Sequence, residues 1–285
     1  MRFAVVLALV ACGSPTTEKP TPDTCNGWTE LCDLTPLEIT TPMTHNSHAS
    51  LERGYHETAA NHVAPIPTQL EDGIRALNVD VYEEEGQMLA CHGYCTLGSQ
   101  PLDEVWAEIV DFLDAHPREV VWLQLQDGAP LSSILAAFED AGMHDRAWVH
   151  DGEWATLGEM VADDTRLILS GGEGGGDEAP WYHPDATLSY ATNYGYPNVD
   201  SMDCALRYPV AEGALFELVH TFLGPIAWQD LSEEGNPSLA SRLEECEAEV
   251  GRQVNLLTVD WYQHGDVVGV AAERNGLDPA ARQTP

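Results

Sequence analysis

The sequence predicts an α/β fold, namely a single TIM-type barrel in which parallel strands alternate with helices. Short β-branched or apolar runs alternate with amphipathic helical patterns between residues 37 and 275. The runs 119–126 and 254–261 are almost continuously apolar and carry a polar residue near the carboxyl end, which is typical of buried parallel strands. The chain has 285 residues, 44% of them hydrophobic, which is enough for one such domain and its core.

The individual elements follow from local pattern. The predicted strands are 37–44, 74–82, 87–92, 119–126, 165–170, 186–191, 225–229 and 254–261. The predicted helices are 101–115, 130–141, 209–223, 238–250 and 265–275. The first of these helices has apolar residues at helical spacing, Pro101 at its start, and Asp103 and Glu104 in its first turn.

An open doubly wound sheet is the alternative architecture. It is disfavoured because neither a G-x-G-x-x-G motif nor a P-loop follows the first predicted strand. The segment 171–176 (GGEGGG) is rich in glycine but has no Lys-Ser/Thr partner. We interpret it as a flexible loop that follows a strand and not as a phosphate cradle.

The amino terminus has the pattern of an export signal. An apolar run over 3–11 follows Arg2 and is too short to span a bilayer. It ends in Leu-Val-Ala-Cys, which is typical of a bacterial lipoprotein and predicts a signal peptide over 1–11 and lipidation of Cys12; an ordinary secretory signal is the alternative. The Pro/Thr-rich segment 12–24 is then a tether, and residues 25–285 form the barrel domain. We expect a lipid-anchored protein of the bacterial cell envelope, on the outer membrane or cell surface.

Six further cysteines remain in this predicted mature chain, and export makes disulfides the expected state. Six cysteines allow about 15 pairings. Proximity in sequence suggests Cys25 with Cys32 and Cys91 with Cys95, which leaves Cys204 with Cys246. A structural zinc site is disfavoured because the C-x-x-C spacing is absent.

The charge of the chain is strongly negative. Lys and Arg number 12 against 47 Asp and Glu, for a net charge of −35, and Lys19 is the only lysine. Such a surface repels phosphate backbones, so we expect no nucleic-acid partner. It is compatible with a salt-tolerant, soluble surface or with a field that attracts cations to a metal site. We expect a monomer.

Candidate catalytic residues follow from the predicted strand ends, because active sites of such barrels lie at the carboxyl ends of the strands. Two histidines, His45 and His92, occur at such ends and could act as a general acid/base pair, since imidazole titrates near neutrality. Asp260 ends the last strand and either orients His45 or serves as a structural hydrogen-bonding group.

Oxygen-bearing side chains accompany the histidines. Asn46 follows His45, and Asn78 and Asp80 lie two apart on one strand, so both face the barrel interior. Such oxygens suit calcium, with magnesium or no metal as alternatives. Only one of the three is a carboxylate, so we expect weak binding.

These residues belong to a larger pattern that resembles the phosphatidylinositol-specific phospholipase C X-domain superfamily, and within it the secreted bacterial and fungal phospholipase C-like phosphodiesterases. The order and spacing hold from about residue 25 to 277. The matching pieces are Cys25-Asn26-Gly27 with Leu31-Cys32, Thr44-His45-Asn46-Ser47, Gln69-Leu70-Glu71-Asp72-Gly73-Ile74-Arg75, Leu77-Asn78-Val79-Asp80, Cys91-His92-Gly93-Tyr94-Cys95, Phe112-Leu113 with His116-Pro117-Arg118-Glu119-Val120-Val121, and 255–262 with Gly265-Asp266-Val267-Val268.

The resemblance implies the barrel and a two-histidine mechanism, with His45 as general base and His92 as general acid. It places Asn46, Asn78 and Asp80 at metal-ligand positions of the calcium-dependent members. Asn78 departs from the usual Glu, and Gln126 stands where another acidic ligand is expected. Metal-independent bacterial members carry an Arg near the position of Asp80, which this chain lacks.

We therefore predict a lipid-anchored phosphoric diester hydrolase or lyase that acts on a phosphatidylinositol-like phospholipid headgroup. Gln126, Trp261 and Tyr262 are the predicted substrate contacts. A non-catalytic headgroup-binding lipoprotein is one alternative. A glycerophosphodiester phosphodiesterase is another, although those enzymes carry His-Arg and Glu-x-Asp where this chain has His45-Asn46 and Asn78-x-Asp80.

Overall fold

The computed structural model of the protein describes residues 23–207, 214–222 and 228–283. Within these ranges the strands are β1 (Thr41–Thr44), β2 (Ala76–Glu84), β3 (Gln87–Ala90), β4 (Gln100–Pro101), β5 (Val121–Gly128), β6 (Leu167–Gly171), β7 (Tyr182–His183), β8 (Ser189–Ala191), β9 (Leu215–His220) and β10 (Leu256–Val259). The helices are α1 (Ile66–Asp72), α2 (Leu102–Ala115), α3 (Leu131–Asp140), α4 (Leu157–Asp163), α5 (Asp185–Leu188), α6 (Gln229–Gly235), α7 (Leu239–Val250) and α8 (Val267–Arg274).

The strands form one curled sheet in the order β7-β6-β5-β2-β1-β10-β9-β8. Every neighbouring pair along this path is parallel. β3 and β4 lie off the path as an antiparallel extension of β2. Once they are set aside, the path follows chain order around a circle, so the predicted TIM-type α/β fold is confirmed. In the described ranges no ladder joins β7 to β8, which leaves a seam in the circle.

Several predicted elements differ from the structure. The predicted helix over 209–223 is wrong, because 215–220 is strand β9. Its residues are buried on both faces, and a short apolar run of this kind suits a buried strand or a buried helix equally. The predicted strand 87–92 is a hairpin arm and not a barrel strand. The predicted strand 225–229 falls largely outside the described residues, and α6 begins at Gln229.

The barrel interior changes from apolar to polar along the strands. Side chains on one face of a strand recur every second residue, and the interior of β2 runs from Ala76 through Asn78 to Asp80. The corresponding residues on β5 are Trp122, Gln124 and Gln126, and those around β10 are Leu256, Thr258 and Asp260. The amino-terminal members pack in an apolar cluster, while a larger cluster fills the space between sheet and helices. The polar interior side chains of β2, β5 and β10 thus lie toward the carboxyl ends of these strands.

Three disulfides pair Cys25 with Cys32, Cys91 with Cys95, and Cys204 with Cys246, as predicted. The segment 171–176 follows β6 as an irregular loop. The predicted signal peptide over 1–11 and all but the last two residues of the tether lie outside the described residues. Among the helices that the structure describes, none has the length and apolarity to cross a bilayer.

Candidate active site

His45 lies at the carboxyl end of β1, beside the end of β10. β1 and β10 pair in parallel with Thr44 opposite Val259, so the residues that follow them, His45 and Asp260, become neighbours. The His45 Nδ1–H donates to Asp260 Oδ1 over 2.9 Å. The His45 side chain is 32% exposed and that of Asp260 only 3%. A buried carboxylate therefore holds a partly exposed imidazole at the mouth of the barrel.

His92 reaches the same place from a different element. It follows β3 and lies within the short loop that the Cys91–Cys95 disulfide closes. Its Nδ1–H donates to the carbonyl oxygen of Ala59 over 3.0 Å. The ring centroids of His45 and His92 are 6.4 Å apart, and the ring planes are inclined at 70°. The two predicted acid/base residues thus come together at one mouth of the barrel.

The hydrogen-bond partners define which ring nitrogens are available. A carboxylate and a carbonyl can only accept, so Nδ1 of each histidine carries a proton. The Asn46 side-chain amide lies 3.3 Å from His45 Nε2 and donates to it. When His45 is neutral, its lone pair is therefore on Nε2. His92 Nε2 is left to gain or lose a proton, which is what an acid/base catalyst requires.

The surroundings shift the pKa values of His45 and His92 in opposite directions. Burial opposes the charged form of His45, but Asp260, Asp80 and Glu217 together outweigh it and raise its pKa above 6.5. Burial and the neighbouring His45 lower the pKa of His92, against the opposing effect of the Ala59 carbonyl. Burial favours the neutral form of Asp260. The charge and hydrogen bond of His45, together with the hydrogen bond from Asn61, nevertheless hold the pKa of Asp260 below its ordinary value. Asp260 is thus ionised at neutral pH.

The three predicted oxygen ligands also lie at this mouth. Asn46 adopts a left-handed backbone with φ 49°, an uncommon conformation for a residue other than glycine. Asn78 Oδ1 accepts from the Asn46 backbone N–H over 3.1 Å, and its amide nitrogen lies 3.4 Å from Gln124 Oε1. Asp80 is 3% exposed, and burial raises its pKa to about 6. Asn78 therefore orients Asn46, while Asp80 presents a buried carboxyl to the site.

Two oxygens of this set are suited to a cation. Asn46 Oδ1 and Asp80 Oδ1 are buried and have no hydrogen-bond partner, and buried polar atoms of this kind are uncommon without a ligand or water. Both are hard oxygen donors of the type that calcium or magnesium takes. No group of three or more His, Cys, Asp or Glu side chains that could hold a metal occurs in the described part of the chain. Asn46 and Asp80 therefore carry the two oxygens of the predicted ligand set whose chemistry fits a hard cation.

The predicted substrate contacts are placed differently from one another. Gln126 is exposed, and its amide nitrogen lies 3.4 Å from Asp80 Oδ2, so it borders the site. Trp261 is 1% exposed and packs with Ala49 and Ala60. The Tyr262 hydroxyl donates to Asp72 over 2.7 Å. The burial of Trp261 and Tyr262 does not support their predicted role in lining a headgroup pocket.

Sequence reasoning missed two polar residues of the site. Glu217 on β9 accepts from the Thr258 hydroxyl over 2.7 Å, below the histidines, and burial raises its pKa. Glu217 was missed because a helix was predicted over 209–223. If the segment had been predicted as a strand, with alternate residues facing inward, Glu217 would have been placed inside the barrel. Asn61 donates to Asp260 over 2.7 Å. It lies in an irregular loop, where no periodic signal marks it.

Large exposed hydrophobic side chains occur in loops on the side of the barrel that carries the histidines. Tyr94 and Leu97 follow His92 in its loop, and the others follow the carboxyl ends of β5, β8 and β9, whereas Val149 lies near the start of β6 at the opposite end. The five on the histidine side are Tyr94, Leu97, Leu131, Tyr194 and Trp228. Tyr and Trp suit a boundary between water and an apolar phase, because one end of each ring is polar.

The chain is similar to known proteins over most of its length. A family model described as PI-PLC X 1 matches residues 31–275. An uncharacterized secreted protein of Arthroderma benhamiae is 25% identical, over 92% of this chain and 65% of its own length. A PI-PLC X domain-containing protein of the same fungus is 24% identical, over 89% of this chain and 90% of its own. The chain thus spans about two thirds of the first relative and most of the second.

Solved structures show the same architecture. A mutant of the phosphatidylinositol-specific phospholipase C from Staphylococcus aureus superposes with a TM-score of 0.65 at 13% identity, over 90% of this chain and 98% of that one. The corresponding enzyme from Listeria monocytogenes superposes with a TM-score of 0.59 at 14% identity, over 88% and 96%. At these identities the likeness establishes the fold.

Proposed function

The chain belongs to the PI-PLC X family, and on this premise we propose that it is an exported phosphoric diester hydrolase or lyase that cleaves a phosphatidylinositol-like phospholipid. The observation that carries the proposal is the approach of His45 and His92 at the carboxyl ends of the strands, with centroids 6.4 Å apart. Each ring has Nδ1 tied to an acceptor, which directs Nε2 to the shared space. The attacking hydroxyl would replace the Asn46 amide, which lies 3.3 Å from His45 Nε2.

The proposed reaction is an in-line displacement at phosphorus. His45 Nε2 takes the proton of the attacking hydroxyl, which belongs to the substrate 2-OH or to water, as the new P–O bond forms. The P–O bond to the diacylglycerol oxygen breaks, and His92 Nε2–H protonates that leaving oxygen. Attack by the 2-OH yields a cyclic phosphodiester, and attack by water yields a phosphomonoester. Asp260 keeps the proton on His45 Nδ1 and stabilises the imidazolium that forms.

A bound calcium ion would supply positive charge beside the phosphoryl oxygens, where charge increases in the transition state. Asn46 and Asp80 would hold it through their unpartnered Oδ1 atoms. Asn78 keeps Asn46 in position through its backbone N–H.

Removal of the cation tests this part of the proposal. We expect Asp80→Asn to weaken calcium binding, measured by calorimetry, by ~10- to 100-fold and to lower kcat/KM by a similar factor. EGTA should lower the wild-type rate in the same way. Asp127→Asn is the matched control, because Asp127 lies near the carboxyl end of β5 on the opposite face and accepts from Tyr182. Full activity in EGTA would remove calcium from the proposal and leave the histidine pair.

The pH dependence of kcat/KM tests the histidine pair. The pKa of His92 lies below 6.5 and that of His45 above it. Between these values the more populated form carries the proton on His45, so the proposed roles use the less populated form with the proton on His92, which rises and falls with the same two ionisations. We expect a bell-shaped profile with its acid limb below pH 6.5, where both rings become protonated and no base remains. Its alkaline limb should lie above 6.5, where both become neutral and no acid remains. The limbs belong to the coupled pair. Two limbs on the same side of 6.5 would contradict the arrangement.

The proposed location is the bacterial cell envelope, with lipidated Cys12 as anchor and residues 12–24 as tether. A secreted relative supports export. The exposed hydrophobic side chains on the side of the barrel that carries the histidines support contact with a lipid surface. The net charge of −35 favours uncharged or zwitterionic lipid over an anionic surface.

A substrate screen tests the function directly. Phosphatidylinositol, lysophospholipids and glycerophosphodiesters are incubated with the protein, with and without calcium, and products are identified by mass spectrometry. We expect cleavage of phosphatidylinositol with release of diacylglycerol. Selective cleavage of glycerophosphodiesters would assign the site to the related phosphodiesterases.

A non-catalytic headgroup-binding protein is the second candidate function. One observation favours it: Asn78 and Gln126 stand where the calcium-dependent pattern has acids, so Asp80 is the only carboxylate of the predicted ligand set. Retained binding of phosphatidylinositol vesicles, with no cleavage of any substrate in the screen, would support this candidate over the enzyme.

A further inference from the structure

We propose that Asn61 is a positioning residue that holds Asp260 in the orientation in which it accepts from His45, an assignment that rests on the proposed function. Asn61 is fully buried, with an exposed fraction of 0%, so it acts through Asp260 and not on the substrate.

Two donors meet on one oxygen of Asp260. The Asn61 amide donates to Asp260 Oδ1 over 2.7 Å, and His45 Nδ1–H donates to the same atom over 2.9 Å. The Asn61 nitrogen is 3.5 Å from His45 Nδ1. The Asp260 backbone carbonyl accepts from Asn236 over 2.9 Å. Main chain and side chain of Asp260 are thus held by separate amides.

Asn61 has its own anchors, which do not involve His45. Its backbone N–H donates to the Ala49 carbonyl over 2.8 Å, and its carbonyl accepts from the Trp261 N–H over 2.7 Å. The next residue, His62, lies 2.8 Å from the backbone carbonyl of His45 through Nε2 and donates to it. The loop that carries Asn61 is therefore tied both to the end of β1 and to the end of β10.

The amide suits this position because it is a neutral donor. It stabilises the Asp260 carboxylate without adding a charge that would change the protonation of His45. It also prevents rotation of the carboxylate, which would leave the His45 imidazole free to take the wrong tautomer. A carboxyl group of the same shape would remove the donor and add a negative charge close to the ring.

Two variants test the assignment. Asn61→Leu removes the donor at similar size, and Asn61→Asp keeps the shape and adds a charge. We expect both to lower kcat by about tenfold or more with KM changed by less than about twofold, since outer hydrogen-bond partners are worth about 10–100-fold. Asn61→Leu should also move neutral His45 from the Nδ1–H tautomer to a mixture of the two tautomers, read from the nitrogen NMR chemical shifts of the ring without substrate.

Asn255→Asp is the matched control. Asn255 is equally buried, and its amide donates to backbone carbonyls near the amino-terminal end of the barrel. We expect it to lower stability without changing the tautomer of His45. If Asn61→Leu leaves that tautomer unchanged, or if both Asn61 variants keep kcat within twofold, the assignment is overturned. Should one variant fail to fold, the other decides.

The tautomer measurement also separates this assignment from the proposed function. A wild-type protein that cleaves nothing, together with mixed His45 tautomers in Asn61→Leu, would refute the catalytic function and retain the coupling of Asn61 to His45. An active wild type with an unchanged tautomer in Asn61→Leu would do the reverse.

Discussion

His45→Ala and His92→Ala are each expected to lower kcat by about 10²- to 10⁴-fold, the usual contribution of a positioned acid or base. Each substitution removes one proton-transfer group. His45→Ala also removes the donor to Asp260, and His92→Ala removes the donor to the Ala59 carbonyl, both at the rim of the barrel. Single-turnover measurements on the phospholipid that the screen identifies would give the loss, and circular dichroism would verify the fold.

His56→Ala is the matched control for the histidine variants. His56 is exposed and pairs locally with the Thr58 hydroxyl over 2.9 Å, outside the His45–His92 pair. We expect its kcat to remain within about twofold of the wild type. A His45→Ala protein with wild-type turnover would remove the two-histidine mechanism, whatever the substrate.

Replacing Glu119 with glutamine is expected to destabilise the protein by about 3–5 kcal/mol, because it leaves a buried guanidinium without its counter-charge. Arg75 Nε donates to Glu119 Oε2 over 2.7 Å, and the two side chains are 3% and 4% exposed. Arg75 Nη1 also donates to the carbonyl oxygens of Leu70 and Ile74. The pair connects the end of α1 to the start of β5.

The measurement for Glu119→Gln is thermal unfolding by calorimetry. With about 2–4 °C per kcal/mol for a chain near this size, the midpoint should fall by roughly 6–20 °C. Glu71→Gln is the control, because Glu71 is exposed and pairs only with His116 at the surface; we expect less than about 1 kcal/mol there. Equal midpoints for the two variants would show that the buried pair contributes little to stability.

The histidine pair illustrates how much of the site could be predicted. Strand ends are marked by polar residues after apolar runs, and in a parallel barrel the carboxyl ends of all strands lie on one side. That rule alone placed His45, Asp80 and Asp260 together, although 215 positions separate His45 from Asp260. The position of His92 was harder to predict, because the strand before it, β3, is an arm of a hairpin and not one of the barrel strands.

The residues that were missed or misplaced share one physical cause. Asn61 lies in an irregular loop, and Glu217 in a run that is apolar on both faces, so neither has a period that shows which way it points. Trp261 follows a strand, as a pocket residue would, but it packs inward beside Ala49. The direction of a side chain in such segments depends on contacts with distant parts of the chain.

Short-range information was sufficient for most strands and helices and for the Cys25–Cys32 and Cys91–Cys95 disulfides, because these depend on residue periodicity, capping and proximity along the chain. The Cys204–Cys246 disulfide followed as the pair that remained. The distance between the two rings, the burial of Asp80 and the direction of each pKa shift depended on the folded chain. They arise from the pairing of β1 with β10 and from the carboxylates that the curled sheet brings around His45. The electric field at a side chain and its loss of solvent depend on atoms from distant segments of the chain. The resulting pKa shifts are therefore set only when those segments pack together.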